Sequence, residues 1–129
     1  MLPKTERLKE RYLFNLVFNK KYKKSHRLSS DLLVLYYLLK KKDINNLPKV
    51  AFVVGLSIDK KSNKRNLIKR RMRAAYRLVK KKIINPNTSK LSVLIWIANP
   101  AIKNATFEQI KTRMDGLVNK AEKNESITK

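Results

Sequence analysis

Residues 50–83 read VAFVVGLSIDKKSNKRNLIKRRMRAAYRLVKKKI. Val50–Ile58 predicts a strand, because β-branched residues, an aromatic and one Gly favour a buried pleated surface. A short loop over Asp59–Lys64 leads into a helix predicted from Lys64 to about Ile84, with Ser62 or Asn63 as a candidate cap. Lys60–Lys82 carries 12 of the chain's 32 Lys and Arg residues and no acid, and the next carboxylate after Asp59 is Glu108. Positive charge without counter-ions repels itself. A polyanion relieves that repulsion, and RNA or DNA is the obvious candidate.

Advancing about 100° per residue places Arg65, Lys69, Lys80, Arg73, Asn66, Arg77, Arg70 and Lys81, in that order, within an arc of about 160°. Ala75, Ile68, Val79, Met72, Ile83 and Tyr76 make an apolar stripe about 100° wide. Leu67, Ala74 and Leu78 lie at the far edge of the basic arc, and Arg71 and Lys82 fall between the two apolar groups. The pattern predicts a helix with its stripe on a sheet and its cations outward. Like charges at i,i+4, as in Lys69–Arg73–Arg77–Lys81, work against the helix. A merely solvated helix usually interleaves Glu with Lys, and this one does not.

Outward from this segment, Leu91–Ala98 (LSVLIWIA) reads as a second buried strand, ended by Asn99-Pro100. Two strands flanking one helix predict a parallel pair in one sheet. Asp31–Leu39 (DLLVLYYLL) reads as a further strand, residues 24–30 as a polar loop, and 43–49 as a connection. Residues 5–22 predict a helix with Thr5 as its cap. Thr106-Phe-Glu-Gln109 is a capping box that opens a helix presenting Phe107, Ile110, Met114, Leu117, Val118 and Ala121. The expected architecture is α+β: a small sandwich with a central mixed sheet and three helices. It forms a single domain over 1–121, with a frayed tail over 122–129.

The chain has 129 residues, 43% hydrophobic, enough for one core but not two. Its formal net charge is +23. Adsorption to anionic lipid and a lysine-rich proteome are the competing explanations of that charge, and a nucleic-acid partner is favoured over both. With no cysteine, disulfide and thiolate chemistry are excluded. No stretch approaches the roughly 20 apolar residues of a membrane span. The N-terminal segment has no apolar run behind its basic residues, so a cytoplasmic protein is expected. His26 is a lone histidine in a polar segment and reads as structural rather than catalytic. No acid pair, nucleophile triad or glycine-rich phosphate loop is visible, and the chain has two glycines. Trp96 reads as core.

Several of these segments together resemble the bacterial ribonuclease P protein component. VGLSIDKK at Val54–Lys61 and RNLIKRRMR at Arg65–Arg73 are similar to its G-L-S-V-x-K-K strand end and R-N-R-x-K-R-x-x-R hallmark. FNLVFNK at Phe14–Lys20, LVLYYL at Leu33–Leu38, and LIWIANPA followed by TFEQIKTRMDGLV resemble its other segments, in order. The resemblance implies a left-handed βαβ crossover, rare for such units, in a fold like the second domain of ribosomal protein S5. It implies a subunit of a ribonucleoprotein endoribonuclease that binds a catalytic RNA and the 5′ leader of precursor tRNA. The RNA would hold the Mg²⁺ and perform the cleavage, so no catalytic residue or metal ligand is expected in this chain.

By the same resemblance, Lys60, Lys61, Arg65, Asn66, Lys69, Arg70 and Arg73 would face RNA. Arg77 joins them from the helical arc. Phe14, Phe18, Tyr36 and Ser57 would line the cleft for the single-stranded leader. For Phe14 and Phe18, core packing is the competing reading. The chain departs from the family at Leu67, where Arg is usual, and in the short Ser62–Lys64 connection. It departs again at Ala74 and at Ala98-Asn99-Pro100. The alternative functions are a structural RNA-binding protein, such as a ribosomal component, and a nonspecific DNA-binding protein.

Overall fold

The computed structural model describes residues 25–39, 48–83 and 91–127. Their elements are β1 (Ser25–Ser29), β2 (Leu33–Leu39), β3 (Lys49–Val53), α1 (Ser62–Ile83), β4 (Leu91–Ala98), a 3-10 helix (Pro100–Asn104) and α2 (Phe107–Ile127). The helix expected over 5–22 lies outside the described residues.

The strands form one mixed sheet in the order β1-β2-β4-β3. β2 runs antiparallel to both β1 and β4, whereas β3 and β4 run parallel, as their connection through α1 predicts. Alternation along each strand sends side chains to opposite faces. Leu33, Leu35 and Tyr37 of β2, Val50 of β3, and Leu94, Trp96 and Ala98 of β4 belong to the larger core cluster. Ile68, Met72, Ala75, Tyr76 and Val79 of α1 and Ile110, Met114, Leu117, Val118 and Ala121 of α2 join it. Both helices therefore cover the same face, α1 over β3 and α2 over β2 and β1, and they pack on each other. Leu38, Val93 and Ile95 make a second buried cluster from the intervening residues, with Tyr36, Ala51, Val53 and Ile97 packed against it.

Several element boundaries differ from the sequence reading; the strand expected from Asp31 begins at Leu33, and Lys49, expected in a connection, opens β3. Residues 24–30 are not simply a polar loop, because Ser25–Ser29 pairs with β2 from Ser25↔Leu38 to Ser29↔Val34. Its stability is cross-strand: His26 stacks on Tyr37 at 5.1 Å, and Arg27 lies 5.9 Å from the Tyr36 ring centroid. Such pairs are invisible in a polar pentapeptide read alone. The strand predicted to reach Ile58 ends at Val53, and the Ile58 N–H closes a turn onto the Gly55 carbonyl at 3.1 Å. The segment Ser62–Lys64, read as a loop, is the first turn of α1. The backbone of α2 stays helical to Ile127, past Glu122.

Polar contacts pin the ends of these elements. Ser30 Oγ accepts the Leu33 N–H at 3.1 Å and the Leu32 N–H at 3.3 Å in the β1–β2 turn. The Asn99 side-chain amide donates to the Ser30 carbonyl at 3.0 Å, and its backbone N–H to the Leu32 carbonyl at 2.9 Å. Arg113 of α2 reaches the same turn, donating from Nε to Asp31 Oδ1 at 2.7 Å. The capping box of α2 is formed. Gln109 N–H donates to Thr106 Oγ1 at 3.2 Å, and Thr106 N–H to Gln109 Oε1 at 2.9 Å.

Candidate nucleic-acid interface

The apolar stripe fixes how α1 is rotated. Met72, Ala75 and Tyr76 are fully buried, and Ile68 and Val79 nearly so. Tyr76 packs over β3 and β4, with ring centroids 5.9 Å from Phe52 and 6.2 Å from Trp96. With that side anchored, the basic arc must turn away from the core, and exposure rises steadily around it. Arg65, Lys69, Lys80 and Arg73, angularly closest to the stripe, are half-buried, whereas Asn66, Arg77, Arg70 and Lys81 are exposed. The half-buried cations can lay their methylene stems on the apolar edge while their charged ends reach solvent. Arg70, Arg73, Ala74 and Arg77 line one open concavity.

Among the described residues, none of Lys60, Lys61, Arg65, Lys69, Arg70, Arg73 and Arg77 is joined to a carboxylate. The acids that are present serve elsewhere. Asp59 accepts the Lys61 N–H at 3.0 Å and pairs with Lys103 Nζ at 3.2 Å. Those two bonds, the Lys61 N–H first, hold its carboxyl below the ordinary carboxylate range. Asp59 thus ties the start of α1 to the 3-10 helix and fixes the backbone carrying exposed Lys60 and Lys61. Neither Ser62 nor Asn63 caps as the sequence suggested, since both lie inside the helix. Asn63 Oδ1 instead accepts the adjacent Lys64 N–H at 3.0 Å.

The first turn of α1 has no acid. Lys60, Lys61, Lys64 and Arg65 stand against the positive end of the helix macrodipole, an arrangement that opposes helix formation. Sequence and fold therefore concentrate positive charge at a cost in stability.

Of the remaining site residues, Tyr36 separates from this group. Tyr36 is half-buried and packs with the second cluster, across the sheet from α1. Ser57 is exposed in the turn after β3. Phe14 and Phe18 lie outside the described residues. Sequence reading missed Arg27, which sits by Tyr36 as its cross-strand partner. Its signal is the alternation in β1: His26 and Leu28 are half-buried, Arg27 and Ser29 exposed. His26 has a structural place against Tyr37, and Trp96 is fully buried. Among the described residues, no three His, Asp or Glu side chains converge to hold a metal ion. No described helix is long and apolar enough to cross a membrane.

A family model for Ribonuclease P matches residues 2–122. The chain belongs to the ribonuclease P protein family. It is 30% identical over 115 residues to the ribonuclease P protein component of Clostridium kluyveri, covering 83% of this chain and 89% of that protein. It is 32% identical over 108 residues to the ribonuclease P protein component of Clostridioides difficile, covering 81% and 85%. A solved structure of a Staphylococcus aureus RNase P protein mutant superposes with a TM-score of 0.70 at 27% identity, over 92% of this chain and 89% of that one. The fold is shared with the RNase P protein of Thermotoga maritima, with a TM-score of 0.68 at 21% identity over 88% and 94% of the two chains.

Proposed function

We propose that this chain is the protein subunit of a ribonucleoprotein endoribonuclease, ribonuclease P, that removes 5′ leaders from precursor tRNA in the cytoplasm. The observation that carries the reading is the outward basic face of α1, clamped to the core on its other side, on which Arg65, Lys69, Arg70, Arg73 and Arg77 are joined to no carboxylate among the described residues. Arg70, Arg73 and Arg77 can form bidentate contacts to phosphate oxygens, while Lys69 acts as a mobile point charge. Arg65, Asn66, Lys60 and Lys61 extend the surface towards the start of the helix.

In this reading the protein positions RNA and offsets the repulsion between two polyanions, the catalytic RNA and its substrate. The cleavage expected of the family uses Mg²⁺. The ion would belong to the RNA, where it supplies a bound hydroxide for attack on the phosphodiester. Tyr36, Ser57, Phe14 and Phe18 are assigned to the leader. A single strand exposes base faces, and an aromatic ring can stack on them for about 1–3 kcal/mol per base. Arg27 beside Tyr36 adds a cation for the leader's phosphates.

Reconstitution with a bacterial ribonuclease P RNA at low Mg²⁺ tests this directly. The expected result is stimulated cleavage of precursor tRNA at the leader junction. Tight RNA binding without stimulation, across several such RNAs, would favour a structural RNA-binding protein instead.

A further inference from the structure

The basic arc of α1 does not run directly into its buried stripe on both sides. On one side an apolar strip intervenes: Leu67 is 44% exposed and Leu78 41%, with exposed Ala74 between them. These three lie within about 40° of one another around the helix, along about 16 Å of its axis. Exposed Arg70, Arg77 and Lys81 border the strip on one side and half-buried Arg71 on the other.

We infer that this strip is a contact for unpaired nucleobases of the bound RNA, read alongside the phosphates held by the flanking arginines. The inference rests on the RNA-binding reading above and deepens it. A duplex turns its base faces inward and presents phosphates and sugars, which have no use for leucine. Unpaired nucleotides present apolar base faces together with charge, and the strip offers both within one side chain's reach. Charge complementarity selects this occupant over a second copy of the chain. Pairing two such strips would set Arg70, Arg71, Arg77 and Lys81 of each copy against the other, between molecules of formal charge +23.

The two interactions separate by salt. Phosphate contacts set the slope of log affinity against log salt, whereas apolar contacts shift affinity equally at all salt concentrations. The test measures binding of the full chain to a short single-stranded RNA and to a blunt RNA duplex across a KCl series. The variants are Leu67→Gln/Leu78→Gln and Arg70→Ala/Arg73→Ala, Gln being chosen because it keeps length and helix propensity.

The glutamine pair should weaken single-strand binding on the order of tenfold at every salt concentration, with an unchanged slope, because apolar burial is lost at two half-exposed leucines. Duplex binding should stay as it was. The arginine pair should flatten the slope for both RNAs. Unchanged single-strand affinity in the glutamine pair, or an equal loss on duplex, overturns the inference while leaving the RNA-binding reading standing. A wild-type dimer in light scattering that the glutamine pair dissociates overturns it in favour of self-association. An unchanged slope in the arginine pair overturns both. If the glutamine pair melts early, Leu67→Met/Leu78→Met serves instead: it should retain single-strand affinity, and a tenfold loss there would overturn the base contact.

Discussion

Tyr76 and Arg77 are neighbours in sequence on opposite sides of α1, and their replacement by Ala should have opposite consequences. Tyr76 is fully buried, with Phe52 and Trp96 rings at 5.9 Å and 6.2 Å. Removing a buried aromatic leaves a cavity that the sheet cannot close, at about 3–5 kcal/mol. The two ring contacts place Tyr76→Ala towards the upper part of that range, since each is worth about 0.5–1.5 kcal/mol beyond area burial. Total stability for a chain of this size is about 6–19 kcal/mol, so the loss is a large fraction of it. Arg77 is exposed, and Arg77→Ala should change stability by less than about 0.5 kcal/mol. The sign should favour the variant, because Arg73 and Lys81 lie four residues away on either side and each repels it. Urea unfolding followed by circular dichroism measures both. Comparable losses, or a Tyr76→Ala cost below about 1 kcal/mol, would refute the orientation assigned to the helix and with it the outward basic face.

Thr106→Ala removes half of a reciprocal cap and should lower stability by about 1 kcal/mol in the same urea assay, with the activity of a reconstituted complex intact. Asp31 is held below the ordinary carboxylate range, chiefly by its hydrogen bond from Arg113. Its ionised form is therefore the one the fold favours. The stability it adds is present above the unfolded value of about 3.9 and is lost as pH falls through the lower folded value. Melting temperatures of Asp31→Asn and wild type should differ at pH 7 and converge in acid below about pH 4. Trp96 is fully buried, and its indole N–H has no acceptor among the described residues. Trp96→Phe removes that donor while keeping a ring, so its cost should stay below about 2 kcal/mol, less than the roughly 3–5 kcal/mol of a change to Ala.

The local patterns that proved readable were those whose information lies within one element. Leu91–Ala98 was legible because nearly every residue is apolar and a central strand needs that. The rotation of α1 was legible because its buried and basic sets obey one period, so Ile68, Met72, Ala75, Tyr76 and Val79 are buried while Asn66, Arg70, Arg77 and Lys81 are exposed. The capping box was legible because both partners stand three residues apart. What escaped depends on distant partners. β1 exists because β2 offers Tyr36 and Tyr37 to Arg27 and His26. The β3–α1 connection is held at Asp59 by Lys103, more than forty residues further on, and the segment Ser62–Lys64 after it is helix. The division of the candidate site across the two sheet faces follows from strand parity at Tyr36, which a string of motif residues does not convey.

Salt dependence of RNA binding probes the outward basic face at its source. Affinity of the wild-type chain, Arg70→Ala/Arg73→Ala and a control on the other helix, exposed Lys120→Ala of α2, would be measured on leader-bearing precursor tRNA over a KCl series. The double variant should bind more weakly, with its log–log slope shallower by about 1.4, roughly 0.7 for each phosphate of a single strand that is no longer neutralised, while Lys120→Ala keeps the wild-type slope. A double variant with the wild-type slope, or a control that flattens it as much, would contradict α1 as the surface that holds RNA.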